Sequence, residues 1–179
     1  TTPEKTEVKV AYDDQNLYVA FWACADPKDI RAYFQKRDQA WMDDWVAIFL
    51  DTYGDANTGT MIGANPYGIQ MDAKNNGGGD DDPTFDLVYE SKGMITDEGY
   101  QVEMAIPFSS LSFPDKEVQE WKVGFYRSLP REKRSQIVWC GFDRTNPCFL
   151  CQMGTLIGIQ GIKQRGSFEF LPAIFGSQV

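Results

Sequence analysis

Trp41 stands between Arg37-Asp38-Gln39-Ala40 and Met42-Asp43-Asp44, an indole set among charges where core packing does not obviously need it. A ring in that setting can stack on the apolar C–H face of a pyranose, while polar neighbours take its hydroxyls. Arg37, Asp38, Arg127 and Arg131 could form such a rim, since a planar guanidinium suits a vicinal diol. Trp139, flanked by Ile137, Val138 and Cys140, is the second candidate ring. The plainer alternative has Trp41 capping the edge of a core and the charges forming ordinary ion pairs. Trp22, Trp45 and Trp121 lie inside or at the start of strand-like runs and are expected in the core.

Oxygen-rich loops suggest a second chemistry. Asp51, Asp55 and Asn57 fall in one, and Asp80-Asp81-Asp82 in another. Calcium takes six to eight oxygens from such loops, yet neither has EF-hand spacing, and solvated acidic turns are the ordinary reading. Paired carboxylates could also hydrolyse a glycoside, with Glu103 the one nameable candidate. Among 26 acidic residues some pair will always look suitable, so that signal has no specificity.

The chain has no histidine, which removes Ser-His-Asp and Cys-His catalysis and the commonest transition-metal ligand. Cys148-Phe149-Leu150-Cys151 is a lone CxxC, a weak zinc signal without a second pair. Free thiols are expected there rather than a disulfide, and Cys24 is expected as a small core residue.

These groups must be positioned by strands. Val8, Val10 and Tyr12 alternate with polar neighbours, Asp13-Asp14-Gln15-Asn16 is turn chemistry, and Leu17 to Ala25 is apolar on both faces, as in a central strand covered on two sides. Ile30 to Ala40 reads as irregular. Asp43 to Asp51 is a second central strand, and Met61 to Ala73 is two strands broken at Asn65-Pro66-Tyr67-Gly68. Asn75 to Pro83 reads as a flexible loop, followed by strands over Phe85–Lys92, Gly99–Ile106, Trp121–Ser128 and Gln136–Phe142. A helical turn is expected at Ser109 to Phe113, and Phe168, Phe170 and Ile174 suggest a last strand. No amphipathic helix of ten or more residues is evident, so the expected fold is all-β, an antiparallel β-sandwich of jelly-roll type.

With 179 residues and 42% apolar composition, one domain with a single core is feasible. Residues 1–165 are assigned to it, and 166–179 to a last strand or the start of a following region. A net charge of −9 disfavours nucleic acid and anionic membrane surfaces and leaves neutral ligands and cations open. No apolar run approaches the ~20 residues of a membrane helix. Thr1-Thr2-Pro3-Glu4-Lys5 lacks a signal-peptide pattern and reads as the start of an excised piece.

The order Tyr12 to Val19, Asp43-Asp44-Trp45-Val46 through Asp51, Glu103-Met104-Ala105-Ile106-Pro107-Phe108 and Trp121 to Arg127 resembles the family 9 carbohydrate-binding modules over roughly residues 5 to 162. Arg37-Asp38, Asn65-Pro66-Tyr67-Gly68 and Gly154 to Ile159 resemble, more narrowly, the modules that precede a long outer-membrane β-barrel in bacteroidetes-like bacteria. The resemblance implies a non-catalytic sandwich that binds an oligo- or polysaccharide, lies in the periplasm or at the outer membrane, and can carry structural calcium. Such modules clamp a sugar between two tryptophans, and Trp41 and Trp139 are taken for those places from context rather than from a motif. The rivals are a structural or interaction domain attached to the barrel without a sugar site, and a small glycoside hydrolase.

Overall fold

The computed structural model describes residues 5–76 and 80–164. Eleven strands form two antiparallel sheets, and the only helical segments among the described residues are four short 3₁₀ turns. The first sheet has the order β1 (Thr6–Tyr12), β2 (Asn16–Cys24), β8 (Gly99–Pro107), β7 (Glu90–Thr96). The second has the order β10 (Arg134–Val138), β9 (Val118–Pro130), β3 (Trp45–Asp51), β4 (Thr58–Ala64), β5 (Gln70–Asn76), β6 (Asp80–Asp82). The thirteen-residue β9 also pairs with β11 (Gly154–Gln160) along its first half, from Val118 to Val123. The fold is a β-sandwich, as the strand periodicity implies.

Side-chain alternation decides what each sheet buries. Leu17, Val19, Phe21 and Ala23 of β2 meet Val46, Ile48 and Leu50 of β3 in the space between the sheets. Trp121 is fully buried there, tilted against Phe113 at 5.7 Å and edge-on to Phe108 at 6.2 Å. It packs as expected, and its indole Nε1 donates to Gln119 Oε1 at 3.2 Å. The β1–β2 turn is held by Asp13, whose carboxylate accepts from the Gln15 and Asn16 amides at 2.8 and 2.7 Å. Those bonds hold its pKa below the usual carboxylate value.

Several expectations are corrected. β2 is apolar on both faces, but only one is covered. Tyr18 and Cys24 are exposed, and Trp22 is half-buried under the Lys9 ammonium, 4.8 Å from its ring. Among the described residues the four-stranded sheet has a partner on one side only, so Cys24 is exposed rather than a core residue. The covered-on-both-faces strand is β3, buried at all seven positions. No ladder forms over 85–89, and β7 starts at Glu90. In that segment Leu87 donates to Asp72 Oδ2 at 2.5 Å and accepts from Arg37 at 2.7 Å, so side chains take the backbone bonds a ladder would. The segment read as a loop after Asn75 instead continues β5 to Asn76, and β6 pairs back onto it. The 3₁₀ turn after Pro107 comes one residue early, at Phe108–Ser110. Cys148 and Cys151 are joined in a disulfide rather than free, because the turn that buries Leu150 brings their Cα atoms to 5.4 Å. The strand expected from Phe168 to Ile174, and the region 166–179, lie outside the described residues.

Candidate functional site

The outward face of the seven-stranded sheet carries a cleft of about 600 Å³. Its floor follows from period two: Trp45 and Phe49 of β3, Met61 of β4, Asn75 of β5 and Tyr126 of β9 all point away from the sandwich core. Two segments build the walls. The 3₁₀ turn Ala40–Met42 brings Trp41, and the stretch after β10 brings Phe142 and Phe149. The rings order one another. Trp45 stacks on Tyr126 at 4.7 Å and 24°, Trp41 stands edge-on to Trp45 at 5.8 Å, and Phe149 stands edge-on to both Phe49 (4.9 Å) and Phe142 (5.7 Å).

Polar groups in this aromatic bed are few and specific. Asn75 Nδ2 donates to Asp81 Oδ1 at 2.6 Å, which leaves Asn75 Oδ1 as an acceptor. That oxygen and Trp45 Nε1 have no hydrogen-bond partner among the described residues, although each residue is only 6% exposed. An unpaired buried polar atom costs about 1–3 kcal/mol. Both atoms are shielded from the cleft by the side chains around them. Burial pushes the Tyr126 phenol up to about 12 against the opposing pull of Arg134 and Gln136, so it stays neutral at ordinary pH. Asp81 and Arg144 stand exposed at the rim.

The sequence model of the carbohydrate family 9 binding domain-like family matches residues 1–136. The chain belongs to that family. Two solved structures share its fold. A candidate carbohydrate-binding protein from Bacteroides uniformis is 16% identical, with a TM-score of 0.67 over 89% of this chain and 79% of that one. A family 9 carbohydrate-binding module from Caldicellulosiruptor kristjanssonii, in complex with cellotriose, is 20% identical, with a TM-score of 0.59 over 97% and 82%. No curated protein matches.

Within this family 9 domain the sequence candidates separate. Trp41 lines the cleft. Trp139 does not, because along β10 Gln136 and Val138 face the cleft while Ile137 and Trp139 face the other way. Trp139 is 62% exposed and rests edge-on against Phe125, 5.7 Å away on the inter-sheet side. The two tryptophans are therefore not brought together, and the aromatic neighbours of Trp41 are Trp45 and, beyond it, Tyr126. Those were missed because an apolar-on-both-faces strand signals burial without saying what covers each face.

Arg37 and Asp38 belong to an internal network. The Arg37 guanidinium pairs with the fully buried Asp72, reaches Asp86 at 3.0 Å and Gln70 at 2.7 Å, and lies 5.4 Å over the Tyr89 ring. Burial alone would lower its pKa, but Asp72 more than offsets that and holds it above the usual value. Asp38, at φ 60°, accepts from the Asp72 amide at 3.1 Å. Asp38, Asp72 and Asp86 gather their carboxylates closely enough to hold a metal, but the Arg37 guanidinium already supplies the positive charge among them. Arg127 is 1% exposed and ties β9 to the first sheet through Thr6 Oγ1 at 3.1 Å and the Cys24 carbonyl at 3.0 Å. Arg131 forks onto buried Asp44 at 2.8 and 3.2 Å.

The loop carboxylates take local donors. Both oxygens of buried Asp51 accept backbone amides, from Tyr53, Gly54 and Ala56 at 2.8–3.1 Å. Asp55 is occupied by the Asn57 amide and side chain, each at 3.0 Å, and Asp82 by Thr84 at 2.6 and 2.9 Å. The side chain of Asp80 lies outside the described set. Glu103 is exposed on the outer face of the four-stranded sheet, not on the sheet that carries the cleft.

Proposed function

We propose that this family 9 domain is a non-catalytic carbohydrate-binding module whose sugar lies in the cleft between Trp41 and Phe149, over Trp45 and Tyr126. The observation that carries the reading is the set of mutually ordered rings, Trp41, Trp45, Tyr126 and Phe149, that lines an open cleft. Aromatic faces take the C–H side of a sugar ring, and Asp81 and Arg144 at the rim take its hydroxyls. The cellotriose held by the C. kristjanssonii module supports placing β-glucans first in a ligand panel.

The test is calorimetric titration of the domain with a panel of oligosaccharides that includes cellotriose, repeated on Trp41→Ala and on Phe142→Ala, whose ring is exposed in the cleft wall. Binding by the parent, lost in both variants while their melting curves stay cooperative, supports the module. Silence across the panel from a folded domain moves the reading to an interaction domain.

The Cys148–Cys151 disulfide suits an oxidising compartment and supports an extracytoplasmic location. The β-barrel partner rests on the sequence resemblance alone, and fractionating cells that express the parent protein tests both proposals.

A further inference from the structure

The stretch from Arg31 to Gln35 belongs to no strand, yet three fully buried polar side chains hold it. Asp44 Oδ2 accepts from the Arg31 amide at 2.8 Å. Asp43 Oδ2 accepts from the Tyr33 amide at 3.0 Å, from Gln35 Nε2 at 3.1 Å and from Asn65 Nδ2 at 2.9 Å. Asn65 Nδ2 also donates to the Tyr33 carbonyl at 3.0 Å, and Asn65 Oδ1 accepts from the Tyr67 and Ile69 amides, each at 2.9 Å. The Asp43–Asn65 pair thus locks two loops side by side. The β4–β5 turn completes the clamp with Gly68 at φ +77°, where a Cβ would meet Gly93 N of β7 at 2.9 Å.

What this rigid polar mount displays is aromatic. Phe34 is 78% exposed and stacks on Tyr67 at 4.2 Å and 13°, and the preceding residue, Tyr33, is also exposed. Neither phenol oxygen makes a hydrogen bond among the described residues. Rings left in water gain little from folding, and buried polar side chains stabilise a loop only when fully paired, as these are. The arrangement therefore fixes a flat apolar face in solvent, with the Tyr67 hydroxyl at its edge.

We propose that the Phe34–Tyr67 stack is a second contact platform for a glycan, reached by chains too long for the cleft alone. This rests on the reading of the cleft as a sugar site. The open face of Phe34 offers a surface for the C–H side of a sugar ring, and the Tyr67 hydroxyl offers a polar edge. The segment that displays Phe34 also delivers Trp41 to the cleft, and seven residues of fully extended chain limit their separation to about 25 Å. A protein partner fits less well. A stable interface buries about 800 Å² a side, whereas a whole aromatic side chain supplies only about 150–250 Å² and these three are partly covered already.

The test is native affinity electrophoresis in gels containing soluble polysaccharides (hydroxyethylcellulose, xylan, mannan, laminarin), with oligosaccharide calorimetry alongside. Phe34→Ala should weaken retardation roughly three- to tenfold, the size of one lost ring contact, with oligosaccharide affinity and melting temperature unchanged. Phe34→Trp should preserve or increase retardation. Full retardation of Phe34→Ala overturns the platform, and it leaves the cleft reading standing if Trp41→Ala is not retarded. Oligosaccharide binding without retardation of the parent overturns the platform alone. Absence of both overturns the cleft reading and the platform with it.

Discussion

Strand β3 shows two faces of one sheet put to different uses. Val46, Ile48 and Leu50 point into the sandwich, where the first sheet covers them. Trp45, Ala47 and Phe49 point outward, where the Trp41 turn and the segment from Phe142 to Met153 lie over them. Both faces are buried, but the inward one is closed by a whole sheet and the outward one by side chains around a cavity. The polar atoms differ accordingly. The indole N–H of Trp121, facing inward, is paired with Gln119, whereas that of Trp45, facing outward, is unpaired. Hydrophobicity alone does not distinguish a core from a binding floor. Closure by a whole sheet marks the first, and a ring-lined cavity open to solvent marks the second.

The largest effect should come from the inward face. Trp121→Ala is expected to cost about 3–5 kcal/mol, read as a lowered denaturation midpoint, with ligand affinity unchanged in the fraction that stays folded. Trp41→Ala should do the reverse, losing binding at least about tenfold while costing under about 1 kcal/mol of stability. If the two variants behave alike, the distinction between core and floor collapses.

Replacing Cys148 and Cys151 together by serine tests the wall. The four-residue loop they close is worth about 2 kcal/mol by chain entropy, and Phe149 lies inside it, so affinity should fall along with stability. An unchanged affinity would show that packing on Phe49 and Phe142 holds Phe149 without the disulfide.

The smallest effect concerns pH. Burial raises the phenols of Tyr89, Tyr100 and Tyr126, the last to about 12. An unfolded tyrosine ionises near 10, so above that pH the unfolded chain releases protons the folded one keeps. Their contribution is complete below pH ~10 and lost as pH rises through the folded values. A spectroscopic titration should show these phenols ionising only with unfolding. Free titration of Tyr126 near 10 in the folded domain would mean that the cleft floor is open to water.

Sequence by itself determined the strands, most of their turns and the sandwich, because side-chain period two and turn chemistry are local properties. Asp13-Asp14-Gln15-Asn16 makes its turn through bonds two and three residues apart, and Asn65-Pro66-Tyr67-Gly68 makes its own likewise. Tertiary structure alone decided which apolar faces are covered. β2 and β3 read alike as central strands, yet one has a bare outer face and the other a cleft, since covering depends on segments far along the chain. The same holds for charge. Arg37 and Arg127 have the chemistry of a sugar rim, but long-range partners claim them, Asp72 and Leu87 for one, Thr6 and Cys24 for the other. Composition shows that a guanidinium is present, and only the fold shows whether it has anything left to bind.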